Sequence, residues 1–404
     1  MNLKDISLSA VVAGFLAVFV GYAGPVAIVF QAAKLAGLSA ELTSSWIWAI
    51  SLGSGVAGLL LSWRLKMPVL AAWSTPGAAL LVVSLPVVGI HQAVGAYIAA
   101  SLLVLALGLS GAFQVLLRHL PKGIVAAMLA GVLFNFGLQA FVSIQHSPAL
   151  GFCVLLVFLL GKRLAPRYAT ALAMLAGAAF VLGDGHTDLG GVALTFATPV
   201  LIRPEWSWHA LFSVGLPLAL VTLSGQHVPG LAVLQASGYQ PPARPIVALT
   251  AFVSLLFAPF GAHAINPSVI AASICTGSEA NHDPAKRYVA GIAAGLIYLV
   301  IALFGGTLAQ LMAALPKELV TTLAGLALIA SITNGLVGLV NHEGHRDASM
   351  MTFLVAASGM SLLGLGAAFW SLALGGLAYL VLHQPWRVQG RTDGQPARLG
   401  PLRR

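Results

Sequence analysis

The stretch "AAWSTPGAALL" (residues 71–81) stands inside an otherwise apolar run, and its reading decides the fold. A continuous membrane helix has no use for Trp-Ser-Thr-Pro-Gly at its centre. The residue before a proline avoids the α region, so residues 69–73 read as extended backbone. Ser74 or Thr75 then serves as an N-cap, Pro76 takes the first helical position and a short helix follows. "GAHAINPSVIAASI" (261–274) has the same grammar: an extended stretch, Asn266 as cap and Pro267 in the first turn. Each segment places a helix N-terminus near the bilayer midplane, where irregular backbone is tolerated only if it lines a cavity or is buried in protein. Two ordinary proline kinks are the plainer alternative. They account for one break easily, but not for two at matching positions.

Composition fixes the setting. Of 404 residues, 59% are hydrophobic and only 8% charged, and the mean hydropathy is +0.94. Most of the chain therefore belongs in lipid, as an all-α membrane protein. Cys153 and Cys275 lie in apolar segments without metal-ligand spacing and read as small buried hydrophobes. "MNLKDISLSAVVAGF" (1–15) has one lysine and no small-residue cleavage site, so it reads as the start of a first transmembrane helix, not a cleaved signal peptide. The net charge of +9 does not indicate nucleic acid, because the basic residues are spread over many loops.

Apolar stretches from 8–33 to 367–383 give about 14 transmembrane segments, among them 262–277, 287–314 and 348–366. With the N-terminus in the cytoplasm, strict alternation puts 17 of the 20 basic residues inside, including Lys4, Arg118, Lys122, Arg167 and the tail. Only Lys34, Arg203 and Lys317 fall outside, a strong positive-inside bias. The chain also repeats weakly. "HLPKGIVAAMLAGV" (119–132) resembles "ALPKELVTTLAGLAL" (314–328) at an offset of 195, Pro76 and Pro267 are 191 apart, and Pro25 and Pro217 are 192 apart. Such an offset spans seven segments, an odd number, so the halves insert with opposite orientation: a 7+7 inverted repeat. The first repeat is 1–192, the second 205–385, and 386–404 is a basic cytoplasmic tail.

A helix N-terminus favours an anion. Two of them facing one another polarise a site positively without any cation in it. The acids agree by where they are absent: Asp5, Glu41, Asp184, Asp188, Glu205, Glu279, Asp283, Glu318, Glu343, Asp347 and Asp393 all fall in loops or at helix ends. A site for sodium, or a carboxylate proton relay, expects one at the midplane. "LVTLSGQHVPGLAVL" (220–234) brings Gln226 and His227 into the membrane beside a further break at Pro229-Gly230. Gln226 suits substrate hydrogen bonding or an interhelical bond. His227, and His263 beside the second break, are the candidates for carrying a proton, against the alternative of neutral packed imidazoles. Tyr22 and Gln31 flank Pro25 in the first segment, and Phe19, Phe30, Trp73 and Leu80 stand near the breaks, suited to clasping an aromatic ring or merely to core packing. Asn135 and Asn334 read as helix-packing contacts. Magnitudes allow the idea. An anion at the midplane costs roughly 3 kcal/mol or more, while a helix N-terminus returns up to ~2 and a charge-assisted hydrogen bond ~1.5–3. Accumulation against an inside-negative potential needs a co-moving cation, and a proton fits the absence of an acidic sodium site.

"AWSTPGAALL" (72–81), "GQHVPG" (225–230), "FGAHAIN" (260–266) and "ASICTGSEA" (272–280) resemble the benzoate:proton symporter family, the benzoate membrane transport or BenE family, and the likeness runs over nearly the whole chain. The resemblance implies a uracil-permease-like fold in which the third and tenth segments each combine a short strand with a half-helix. It implies a core domain of segments 1–4 and 8–11 and a gate domain of segments 5–7 and 12–14. It further implies a substrate site from Trp73, Ser74, Thr75 and Gly77, from Ala264, Ile265, Asn266 and Ser268, and from the Gln226 helix, with Tyr22 nearby. Nucleobase relatives use glutamates where Gln226 and Ile265 stand here, which argues for an anion; His227 replaces an asparagine usual in the family, and Pro267 an apolar residue.

The expectation is therefore a secondary transporter, not an enzyme, importing benzoate or a related aromatic carboxylate with a proton by alternating access across a bacterial inner membrane. Both termini are cytoplasmic, no cofactor or metal is required, and the partners are the small carboxylate and membrane lipid; a homodimer is compatible with this. The alternatives are a transporter of another small anion, or of a nucleobase, on the same fold.

Overall fold

In a computed structural model, residues 5–23, 25–113, 122–166, 168–184, 192–341, 343–363 and 365–383 are described. Lys4, Arg118, Arg167, Asp188, Asp393 and the tail 386–404 lie outside these residues. The chain is a helical membrane protein: among the described residues, eight helices are long and apolar enough to cross a bilayer, and three shorter apolar helices accompany them. The first half runs α1 (Leu8–Ala23), α2 (Pro25–Leu35), α3 (Ala40–Leu65), β1 (Ala71–Trp73), α4 (Thr75–Val88), α5 (Ile90–Ser110), α6 (Lys122–His146), α7 (Pro148–Leu164) and α8 (Ala169–Gly183). The second half runs α9 (Trp208–Ala236), α10 (Ala243–Phe257), β2 (Ile265–Pro267), α11 (Val269–Cys275), α12 (Tyr288–Leu303), α13 (Gly305–Ala314), α14 (Lys317–Val340), α15 (Arg346–Ala357) and α16 (Ala367–His383). A strand followed at once by a helix occurs at the same place in each half.

The two strands form one antiparallel ribbon at the centre, with Ala71, Ala72 and Trp73 opposite Pro267, Asn266 and Ile265. The Ser74 amide donates to the Ala264 carbonyl at 3.0 Å and the Ser268 amide to the Leu70 carbonyl at 2.8 Å, so the ribbon closes alike at both ends. This corrects the expected cap. Ser268, not Asn266, caps α11, accepting from the Ala271 amide at 3.4 Å, and the repeat partner of Ser74 is Ser268. The physical reason is the register. Bonded pairs at Leu70–Ser268 and Ser74–Ala264 leave Pro267 at a non-bonded position opposite Ala71. There its missing N–H costs no ladder bond.

Small residues allow this ribbon to be buried. Gly58 of α3 abuts the Ala71 amide, Gly53 faces Ile265, and Gly55 and Gly295 let α3 and α12 meet backbone to backbone. Two further departures from the expected segments are local. The stretch 287–314 is two helices, because the chain turns at Phe304 and Gly305–Gly306 press against residues 44, 48 and 195–197. The stretch 348–366 stops being helical at Ala357 and ends in a tight turn bridged between Leu362 and Leu365.

The major apolar core gathers around the ribbon. A second cluster joins α7, α8 and the start of α14 through Val154, Ala173 and Leu319. A third, smaller one joins α6, α15 and α16 through Ile124, Ala348 and Ala378. Helices α6 and α14 lie antiparallel: Gly325 abuts Phe136 and Ala140, Gly335 abuts Ala126 and Ala130, and the Ser143 hydroxyl donates to the Glu318 carbonyl at 3.1 Å. The extended linker 192–207 is bonded to Thr307, Leu303, Ser45, Pro259 and His91 in turn.

Candidate functional site

Ser74 is fully buried, and its Oγ accepts from the Gly77 amide at 3.0 Å and from the Thr222 hydroxyl at 3.4 Å. The first break is thereby tied to α9. Thr75 opens α4 half-buried, and Gly77 lies so close to Ser74 and Leu218 that a Cβ there would come within 2.8 Å of the Ser74 Oγ. Trp73 stands edge-on to Tyr22 at 4.6 Å and to Tyr298 at 6.1 Å, while the Tyr22 hydroxyl bonds the Ser51 hydroxyl. Ala264 contributes its carbonyl to Ser74. Ile265 is held through its backbone, whose amide donates to the Ser254 Oγ at 2.8 Å and whose carbonyl accepts from it at 3.2 Å. Asn266 is fully buried, yet neither amide atom has a hydrogen-bond partner, and the Trp73 Nε1 has none either. Native interiors leave few polar atoms in that condition, and those few ask for an explanation.

The two histidines differ in what surrounds them. His263 Nε2 donates to the Ser74 carbonyl at 3.0 Å, and its Nδ1 accepts from the Trp46 indole at 3.2 Å. A carbonyl on one side and an N–H on the other fix a single neutral tautomer. A second proton would point at the indole N–H. His227 Nδ1 donates to the Thr222 carbonyl at 3.1 Å, and its Nε2 lies 3.1 Å from the Thr250 Oγ1. That hydroxyl donates to the Ile246 carbonyl at 2.9 Å, which leaves it free to accept from His227. Both nitrogens of His227 thus face atoms able to accept, so the geometry accommodates the imidazolium as well as the imidazole.

Gln226 lies half-buried in a π-helical turn, Leu223–His227, and a second such turn spans Leu211–Gly215. Each ends two residues before a proline, Pro217 and Pro229, which cannot donate back to the preceding turn. A cavity of about 450 Å³ reaches the α4 N-terminus from α6 and α14, lined by Pro76, Lys122, Leu129, Gly225, Val228 and Asn334. Its volume suits a small-molecule site. A second space of about 10 Å³, room for roughly one water, joins His227 to His263 beside Thr222, Ser254 and Ile265. Among the described residues, no aspartate or glutamate lines either space, and none forms a metal-binding cluster.

The ribbon therefore brings together Trp73, Ser74, Ala264, Ile265, Asn266, Ser268 and His263, with Tyr22 and Gly77 against them and His227 across the small cavity. Gln226 is near in sequence to cavity-lining residues but is not among them. Sequence reasoning missed Thr222, Thr250, Ser254 and Trp46. A usable signal existed for two of these, since Thr250 and Ser254 are four residues apart on one face of α10.

Known proteins resemble this chain over nearly its whole length. The family model described as benzoate membrane transport protein matches residues 4–382. The benzoate membrane transport protein of Acinetobacter baylyi is 44% identical, covering 95% of this chain and 97% of its own. Inner membrane protein YdcO of Escherichia coli is 42% identical over 95% of this chain and 98% of its own. Among solved structures, SLC26A9 matches with a TM-score of 0.62 at 16% identity, over 95% of this chain and 66% of the other, so this chain spans just under two thirds of it. The transmembrane domain of the cyanobacterial bicarbonate transporter BicA matches with a TM-score of 0.60 at 13% identity, over 94% and 98%. The structural matches establish a shared fold, and the sequence matches establish descent: the chain belongs to the benzoate membrane transport family.

Proposed function

We propose that this membrane transporter carries benzoate or a related aromatic carboxylate inward together with a proton, by alternating access. The observation that carries the reading is the strand ribbon that sets two serine-capped half-helices at its opposite ends in a family of benzoate transport proteins; among the described residues, no carboxylate lines the two spaces beside it. Helix N-termini and the unpaired Asn266 amide offer donors to a carboxylate. Trp73 and Tyr22 supply aromatic surface for its ring. In this reading Ser74, Thr75, Gly77, Ser268 and nearby amides hold the anion, and Gln226 orients it once the 450 Å³ cavity delivers it.

The chain is read as 14 segments in two inverted halves, with both termini in the cytoplasm. The two smaller apolar clusters belong to the gate, and the ribbon's cluster joins the core to gate residues such as Met128, Leu133 and Leu328. His227 is the favoured proton carrier, because a second proton on it meets acceptors, whereas on His263 it meets a donor. Another small anion is the second reading, since a helix N-terminus does not by itself select an aromatic ring.

The test is radiolabelled benzoate uptake into proteoliposomes with an imposed pH gradient, beside protein-free vesicles that measure passive entry of the neutral acid. Uptake above that control that needs outside acid and survives sodium removal is the expected result. Benzoate at control level, with inorganic anions transported, would sink the substrate assignment.

A further inference from the structure

A second large cavity mirrors the one described above. It also measures about 450 Å³, and it lies between the end of α2, α13 and the start of α14, lined by Gln31, Lys34, Gln310, Lys317, Val320 and Thr321. The first cavity takes Lys122, Val125 and Ala126 from α6, the residues that stand at Lys317, Val320 and Thr321 minus 195. The first, fourth and fifth residues of two repeat-related helices thus line two cavities. Because α6 and α14 pack antiparallel, with Ser143 bonded to the Glu318 carbonyl, Lys317 sits at the opposite end from Lys122. A helix of 24 residues separates those ends by about 36 Å, the thickness of a bilayer. Both lysines are exposed, and among the described residues no carboxylate lines either cavity; Glu41 and Glu318 adjoin lining residues in sequence but are not part of the lining. The buried Oε1 of Gln31, a polar atom without a partner, is at the outer cavity.

We propose that Lys122 and Lys317 are a matched pair of collecting residues, one in the vestibule at each membrane face, that concentrate the substrate carboxylate before it reaches the ribbon. The proposal rests on the aromatic carboxylate reading given above. A single exposed cation in a low-dielectric cleft raises local anion concentration and is screened by salt. It acts on the face it occupies and not on the other. Lys317, an outward exception to the inside-positive distribution of charge, then has a role its position in the outer cavity explains.

The experiment compares right-side-out with inside-out membrane vesicles containing the full chain, with saturable radiolabelled benzoate uptake as readout at low and high ionic strength. K317Q is expected to raise the apparent KM about threefold at low salt in right-side-out vesicles only. K122Q does the same in inside-out vesicles only. Both effects shrink at high salt, and K317R and K122R restore the wild-type KM. Unchanged KM at both faces, or a shift at both faces from one substitution, overturns the proposal while the benzoate reading stands. Wild-type vesicles without saturable benzoate uptake overturn that reading and this proposal with it.

Discussion

The two breaks share a geometry but not a sequence. At the first, Ser74 caps a 14-residue helix with a 3.0 Å bond to Gly77. At the second, Ser268 caps a helix of only seven residues with a 3.4 Å bond to Ala271. The first break is braced from outside by Thr222 and His263. The strand beside the second carries Asn266, whose amide has no partner. Both strands are braced, the second through the two bonds between Ser254 and the Ile265 backbone, and the contrast lies in the unpaired groups: a whole amide at Asn266 against a single indole N–H at Trp73. On the proposed reading, a carboxylate at the ribbon would have the capped α4 end and the Asn266 amide to bind it. Prearranged donors are worth more than ones that must reorganise.

The sharpest way to break that contrast is to exchange the residues three beyond the caps. G77A should lower uptake at least about tenfold, since its Cβ would come within 2.8 Å of the Ser74 Oγ and 2.7 Å of Leu218. A271G at the second break should cost only about 0.5–1 kcal/mol of stability and leave uptake near wild type. Transport assays on both variants decide it; equal effects would mean that the breaks are interchangeable.

The histidines sharpen the comparison next. H263A leaves the Trp46 N–H buried without its partner, at about 1–3 kcal/mol, while the Ser74 carbonyl keeps the Ala78 amide at 2.8 Å. A lower melting temperature in detergent at every pH is expected, with H263Q intermediate because its amide both donates and accepts. H227Q should instead fold normally and flatten the dependence of uptake on external pH. A pH profile for H227Q that overlays the wild type would assign the proton to the substrate itself.

The serine caps give the smallest effects. S74A should cost about 1–2 kcal/mol, and S268A about 1 kcal/mol or less because its bond is longer. Thermal unfolding of the two purified variants measures the difference, and S268A proving the more damaging would reverse the order set by the two cap bonds.

Much of this was legible in the chain. Pro76 behind a serine announced the first half-helix, capped by Ser74. The second cap misled because Pro267 was read as a helix-starting proline. Its true place, opposite Ala71 at a non-bonded strand position, depends on a register set by a partner 196 residues away. The π-helical turns around Gln226 escaped for a similar reason: Pro217 and Pro229 signal a disturbance without specifying its form. The bonds of Thr222 and Trp46, and the two mirrored cavities, arise from packing between halves. Local patterns contain the offset of 195 but not the spaces it creates.

The ribbon also has a consequence for biosynthesis. Residues 71–73 find their backbone partners only in residues 265–267. At about 5–20 residues per second, the ribosome delivers that partner roughly 10–40 seconds after the first strand has been made. During this interval the first break has donors and acceptors with no strand beside them, in a segment destined for the middle of a membrane. Either the third segment waits at the water interface or in the insertion machinery, or a transient neighbour shelters it. The first half of this transporter can be inserted early, but it can be finished only by the second.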